Sequence, residues 1–365
     1  PAMLLCYWCF GYGAWLCLAL MLAAGIIAHH QKLSALLAVG ILLLPATQYP
    51  ATTWWSKPDL DREYVLSLDV EHYFGNIQKM RKHLETDRQI LWVTYYRNLY
   101  NATHPSEINS PVSLSRNLLA WNQPGTNGLI LPVNPSASFL SILFANELWF
   151  TLGDMTMAEH CAMLSMIFSP RNSGSRMIKR LAEINLVNGD DEAALKYLRI
   201  LDKTLLHKSW AEKRIPGQQT LRVKEWLEKK RRDIPTQDQL RSGNDAVTSL
   251  RNLVASNAGN LRAYEYLLCY HLLSKDLRSF VEDYVPGKVS SPIFAEALLI
   301  HLARQGNIRA EELIKYQIPV EIAKEFADYT RLYEAKDTSL KEKYGKTYWF
   351  YYHFATTEPG KESKP

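Results

Sequence analysis

Residues 1–56 carry a single charged side chain, Lys32, although the chain of 365 residues holds 42 Lys and Arg and 37 Asp and Glu. No other feature constrains the fold as strongly, because an uncharged apolar stretch of this length must be buried in lipid or in protein. Residues 2–28 are free of charge. A helix rising ~1.5 Å per residue needs roughly 20 such residues to cross a ~30 Å hydrocarbon layer. Tyr7, Trp8, Tyr12 and Trp15 gather in the first half of the run, as aromatic side chains do at headgroup level. His29, His30, Gln31 and Lys32 break it, and residues 33–53 form a second, weaker span with Pro45, Gln48 and Pro50 in its last third. Trp54 and Trp55 close that span as an interfacial anchor. A signal peptide fits poorly: the first run is too long, no basic region precedes it, and a second apolar run follows. The alternatives are a buried hairpin of a soluble fold and, for the second span, a re-entrant segment.

The chain begins at Pro1, so the reading expects a fragment or processed chain with further spans upstream. Lys32 and two histidines in the break, set against Lys57 and Arg62 after the second span, scarcely decide the orientation; the reading places the break inside and the large domain outside.

Beyond residue 56 the charge is nearly balanced, which gives no argument for nucleic acid. Apolar residues recur at helical spacing: Val65, Leu68 and His72; Ile77, Met80 and Leu84; Ile178, Leu181, Ile184 and Leu186; Leu250, Leu253 and Val254; Ala297, Leu298, His301 and Leu302. No alternating run of strand type stands out. Residues 103–111, 123–135 and 203–243 carry Pro, Gly and polar punctuation and read as irregular pieces. Residues 356–365 read as a disordered tail.

Two stretches repeat. Gly153-Asp154 is followed by Ala158, and Gly189-Asp190 by Ala194, each Ala five residues after its Gly. Ile142 and Trp149 precede the first turn at the spacing of Ile178 and Asn185 before the second, and Pro170 follows Ala158 by 12 residues. This pattern resembles the tetratricopeptide repeat, in which Gly turns the chain between two helices and a small residue opens their packing seam. Asn185 departs from the bulky residue of the pattern and Leu206 from its Pro. Gly75 with Met80, and Gly306 with Ala310, read as degenerate copies. The expected architecture is all-α: a transmembrane hairpin over residues 1–56, a tetratricopeptide-like α-solenoid over residues 57–355, and the tail.

Side-chain chemistry offers little for catalysis. Paired catalytic carboxylates, Ser/His/Asp combinations, G-x-S-x-G, H-E-x-x-H and phosphate loops are not found. His29 and His30 point about 100° apart on a helix and have no acidic neighbour, so they read as an interfacial loop rather than a metal site. Cys6 and Cys9 share a helix face in an apolar span, with no second pair for a structural zinc; with Cys17, Cys161 and Cys269 they read as buried thiols. No cofactor or metal is expected. Asn101-Ala102-Thr103 matches a glycosylation acceptor, too short a pattern to weigh much. Lys229, Lys230, Arg231 and Arg232 form the densest basic run, read first as a solvated helix end and second as a contact for anionic headgroups. Aromatic side chains crowd around Trp92, Tyr95, Tyr96 and Tyr100, and from Tyr344 to Phe354, as core packing or as a recognition surface.

Several motifs together carry a wider resemblance: Tyr95-Tyr96-Arg97-Asn98-Leu99, Asn122-Gln123-Pro124-Gly125 with Gly128-Leu129, Leu205-Leu206-His207-Lys208-Ser209-Trp210-Ala211, the stretch NAGNLRAYEY from Asn257, Leu272-Leu273-Ser274-Lys275-Asp276-Leu277, and Lys346-Thr347-Tyr348-Trp349-Phe350-Tyr351-Tyr352. The ensemble is similar to an uncharacterised family of multi-pass membrane proteins from Bacteroidetes-type bacteria with a C-terminal tetratricopeptide-like region. The resemblance implies a bacterial membrane protein with further spans upstream of Pro1 and supplies no activity; with the orientation read from the basic residues, the expected place is the bacterial inner (cytoplasmic) membrane with the helical domain in the periplasm. The expected function is a non-catalytic scaffold or adaptor that binds a protein or peptide partner, with Glu147, Phe150, Arg176, Lys179 and Glu183 lining its groove. The alternative is an accessory domain of a multi-pass membrane enzyme or transporter of envelope sugar or lipid metabolism, whose catalytic spans lie upstream. A third is an assembly role.

Overall fold

A computed structural model of the protein describes residues 60–85, 90–103, 118–119, 126, 128–131, 133, 139–168, 174–237 and 245–355. The two expected spans within residues 1–56, the histidines and cysteines in them, and the tail 356–365 lie outside the described residues. Among the described residues the fold is all-helical, and none of its helices is long and apolar enough to cross a membrane.

The chain divides into two compact units, residues 1–74 and 75–365. The first contributes α1 (Leu60–Phe74), with Val65 and Leu68 buried at helical spacing. The second opens with α2 (Ile77–Leu84) and α3 (Leu91–Thr103). It continues with α4 (Phe139–Leu152), α5 (Met155–Phe168), α6 (Ser175–Asn188), α7 (Asp191–Asp202), α8 (Lys208–Glu212) and α9 (Leu221–Arg231). Then follow α10 (Ala246–Ser256), α11 (Leu261–Leu273), α12 (Leu277–Asp283), α13 (Pro292–Arg304), α14 (Ala310–Lys315), α15 (Val320–Glu334), α16 (Leu340–Tyr344) and α17 (Tyr348–Phe354).

The Gly-Asp pairs end one helix and start the next. Gly153 and Gly189 adopt left-handed backbone, φ 91° and 83°, a conformation that a Cβ disfavours. The following amide closes the turn: Asp154 N–H donates to Trp149 O and Asp190 N–H to Asn185 O. This satisfies a carbonyl that the helix end would leave bare. The Asp carboxylates then accept from Met157 N and Ala193 N in the first turn of α5 and α7, as N-caps do. Ala158 and Ala194 are fully buried.

The same turn recurs where the sequence offers no glycine. Lys275 and Lys336 have φ 59° and 53°. Asp276 N–H donates to His271 O and Asp337 N–H to Leu332 O, and both carboxylates accept from the amide of a serine just downstream. Gly306 makes the turn as well, with Asn307 N–H on Leu302 O. Ala310 after it is exposed, so that copy keeps the turn and loses the small-residue seam.

Helices pack chiefly on their chain neighbours: α3 on α4, α4 on α5, α5 on α6, α6 on α7 and on α9, and α7 on α8. Further along, α10 packs on α11, α11 on α12, α12 on α13, and α13 on both α15 and α17. Helices α4, α11 and α13 are buried on most sides and are accordingly apolar nearly all round. Both aromatic groups are largely core. Tyr95, Tyr96 and Tyr100 are buried, and the Tyr95 hydroxyl donates to Phe144 O. Trp349 is fully buried with its indole N–H on Glu296 O, and Tyr348 donates to Leu272 O. A partly exposed polar network ties α10, α11 and α12: Asp283 accepts from Arg251 at 2.9 Å and lies 2.8 Å from the buried His271 Nε2.

One expectation is corrected. Residues 203–243, read as irregular, contain α8 and α9. Pro216 and Gly217 punctuate only the turn between them, where Gly217 has φ 80°. Val223 and Leu227, four residues apart, give α9 its buried stripe. Both helices are short, and the turn residues beside them outweighed their periodicity in the sequence. Of residues 123–135, those described at 128–131 form a turn, yet Leu129 and Leu131 are buried. Tyr266 OH and Asn98 Nδ2 donate to the Leu129 and Gly128 carbonyls.

Candidate functional site

The five side chains expected to line a groove sit on α4 and α6. Glu147 is buried on α4, where one carboxylate oxygen accepts from Arg176 at 2.8 Å and the other from Arg180 at 2.5 Å. Arg180 also reaches Glu183, one turn along α6, at 3.1 Å. Its guanidinium carbon lies 3.9 Å from the Phe150 ring centroid, a cation–π distance.

Two helices that the sequence did not point to complete the cluster. From α9, Trp226 stacks on Phe150 at 6.2 Å between centroids. Lys230 places its ammonium 4.6 Å from the same ring and 3.4 Å from Phe150 O. From α8, Trp210 stands with Lys179 5.2 Å from its ring and Arg214, just past the helix, at 4.1 Å. Arg214 also donates to Trp210 O at 3.2 Å. Arg180, Trp210, Arg214 and Trp226 are therefore absent from the expected site, and Lys230, read as part of the basic run, joins the groove residues instead. Only the i, i+4 spacing of Trp210 with Arg214, and of Trp226 with Lys230, hinted at them.

The cluster is electrostatically one-sided. Arg176, Lys179, Arg180, Arg214 and Lys230 face two carboxylates, Glu147 and Glu183. Burial pushes the Lys230 ammonium down to about 8, and repulsion from Arg180 and Arg262 adds to it. Lys179 is lowered by burial first; Glu183 pulls it back up, while Arg180 and Arg214 push it further down. Burial lowers Arg214 in the same way, against Glu183 and with Arg222. Desolvation penalises each charged form. One carboxylate, Glu183, raises all three of Lys179, Arg214 and Lys230.

The basic run is split. Lys230 turns to Phe150, and Arg231 donates to Leu186 O and Val187 O at the end of α6, where cations complement the helix dipole. Lys229 and Arg232 are exposed. Beside them Asn260 donates to Leu152 O and Asp233 O, and Arg262 to Thr151 O, so the end of α6 is tied to the end of α9, and the end of α4 to the start of α11, where Asn260 also holds the loop after α9.

Elsewhere, Asn101 of the glycosylation pattern is buried, with 1 % of its surface exposed. Cys161 and Cys269 are free buried thiols. Among the described residues no three His, Cys, Asp or Glu side chains gather as a metal site.

No curated protein and no solved structure matches the chain. A family model does, over residues 35–355, which takes in every helix from α1 to α17. The chain therefore belongs to the family of unknown function DUF6057.

Proposed function

We propose that the chain is a membrane-anchored helical-repeat module that binds a protein or peptide partner and performs no catalysis itself. In this reading residues 1–56 cross the bacterial inner membrane as a hairpin, the helical domain is periplasmic, and α4 to α9 belong to a tetratricopeptide-like solenoid. The recurring left-handed turns at Gly153, Gly189, Lys275, Gly306 and Lys336 support the repeat reading, as does the packing of most helices on their chain neighbours. The charge-poor N-terminal stretch supports the anchor.

The observation that carries the binding reading is the convergence of α4, α6, α8 and α9 on one cluster of charged and aromatic side chains. Trp210 and Trp226, both partly exposed, and the arginines beside them are residue types that dominate binding energy at recognition surfaces, and adjoining helices of stacked repeats offer extended grooves. The test is affinity capture with the full chain and with an Arg176→Glu/Lys179→Glu variant of equal helix content. Partners lost from the variant support the groove; an unchanged partner set rejects it. Protease protection of the helical domain in spheroplasts would reject the periplasmic placement.

A further inference from the structure

We infer that the groove takes an acidic polypeptide segment whose side-chain carboxylates seat against Arg214 and Lys230. This rests on the binding reading above and names its ligand. The two native carboxylates are already engaged, Glu147 by Arg176 and Arg180, and Glu183 by Arg180. Arg214 and Lys230 have no carboxylate within ion-pair distance among the described residues. Arg214 donates to one carbonyl and lies over one ring, and Lys230 does the same. The Nε atoms of Arg180 and Arg214 are buried without a hydrogen-bond partner. Buried donors of this kind are costly unless something fills them.

Charge decides the sign of the ligand. With Arg262 and Asp233, which also act on Lys230, six cations against three carboxylates leave a positive excess among partly buried side chains, and Lys179, Arg214 and Lys230 are held below their ordinary pKa. An entering carboxylate meets these cations at low effective dielectric, where attraction is stronger than at an open surface.

Geometry decides its class. A single-stranded nucleic acid stacks its bases on open aromatic faces. Here Arg180, Lys230 and Trp226 lie against Phe150, and Lys179 and Arg214 against Trp210. Glu147 and Glu183 repel a continuous phosphate backbone, whereas carboxylates on separate side chains can pass either side of them.

The test is selection from a random peptide library on the full chain in detergent micelles, beside Arg214→Gln/Lys230→Gln and Lys230→Gln variants checked for native helix content. Asp and Glu are expected to be enriched in the peptides that the native chain selects. A synthetic peptide of the selected sequence is expected to bind the double variant about tenfold or more weakly, and more weakly at raised salt. Selected peptides without acidic enrichment overturn the inference and leave the binding reading standing. Acidic peptides held equally by the native chain and both variants also overturn it. If no peptide is retained above empty micelles, the binding reading falls and the inference with it. Should the double variant fail to fold, the Lys230→Gln variant alone decides between a weakened peptide and an unchanged one.

Discussion

Glu147 and Glu183 stand six residues before Gly153 and Gly189, the same place in two successive helix–turn segments, and one guanidinium holds both. Arg180 reaches Glu147 at 2.5 Å and Glu183 at 3.1 Å. The two are unequal in surroundings, because Glu147 is buried and carries Arg176 as well. Glu147→Gln takes a carboxylate from Arg176 and one of the two that Arg180 reaches, and is expected to cost about 2–4 kcal/mol. Glu183→Gln leaves Arg180 paired and is expected to cost about 1 kcal/mol. Urea unfolding followed by far-UV circular dichroism measures both, and equal losses would contradict the asymmetry.

The two turn glycines differ in the same way. A Cβ on Gly189 meets nothing within 4 Å, so Gly189→Ala pays only for the left-handed backbone, about 1 kcal/mol. A Cβ on Gly153 lands 2.8 Å from the Asp233 carbonyl carbon and closer to its oxygen. Asp233 O is itself held by Asn260, which also holds Leu152 O, so the loop after α9 has little freedom to withdraw. Gly153→Ala is expected to cost about 3 kcal/mol, read as a fall in the thermal midpoint well beyond that of Gly189→Ala.

These pairs show what could be read in the sequence. Helical period and the Gly-Asp spacing located α4 to α7, and put Glu147 and Arg176 on helices that do meet, at 2.8 Å. Spacing within one helix could not show that Lys230 would return to Phe150 from eighty residues away, because that contact depends on how α9 docks on α6. Two short helices hidden among turn residues supplied Trp210, Trp226 and Lys230, with Arg214 just past the first. The lysine turns were missed for a different reason: Gly signals left-handed backbone, whereas Lys275 and Lys336 carry no such signal, each followed by an Asp whose carboxylate accepts a serine amide in the turn.

Lys336 makes that last point measurable. It is exposed and holds φ 53°, at a cost of about 1–2 kcal/mol for a residue with a Cβ. Glycine removes that cost and returns part of it as unfolded-chain entropy. Lys336→Gly is expected to stabilise by about 0.5–1 kcal/mol. Lys275→Gly is expected to gain less, because its ammonium donates to Ala355 O and lies 5.8 Å from the rings of Tyr351 and Tyr352. Thermal unfolding of the two variants side by side decides it; an equal gain in both would mean that those contacts hold nothing.

The depressed Lys230 ammonium sets a pH window. Folded, it keeps its proton only to about 8; unfolded, to about 10.4. Between these values the unfolded chain binds more protons, so this group's contribution to stability rises with pH. Its penalty is full below pH 8 and largely relieved near pH 10. Above that, Tyr95, Tyr266 and Tyr348, all held above their ordinary range by burial, keep their protons folded and lose them unfolded, and stability falls again. Lys230→Gln removes only the first of these effects. At pH 7 the variant is expected to exceed the native chain by about 1 kcal/mol, allowing for the screening of a half-buried charge, with the two curves converging by about pH 10. Urea midpoints taken across that range measure it, and parallel curves would show that Lys230 carries no such penalty.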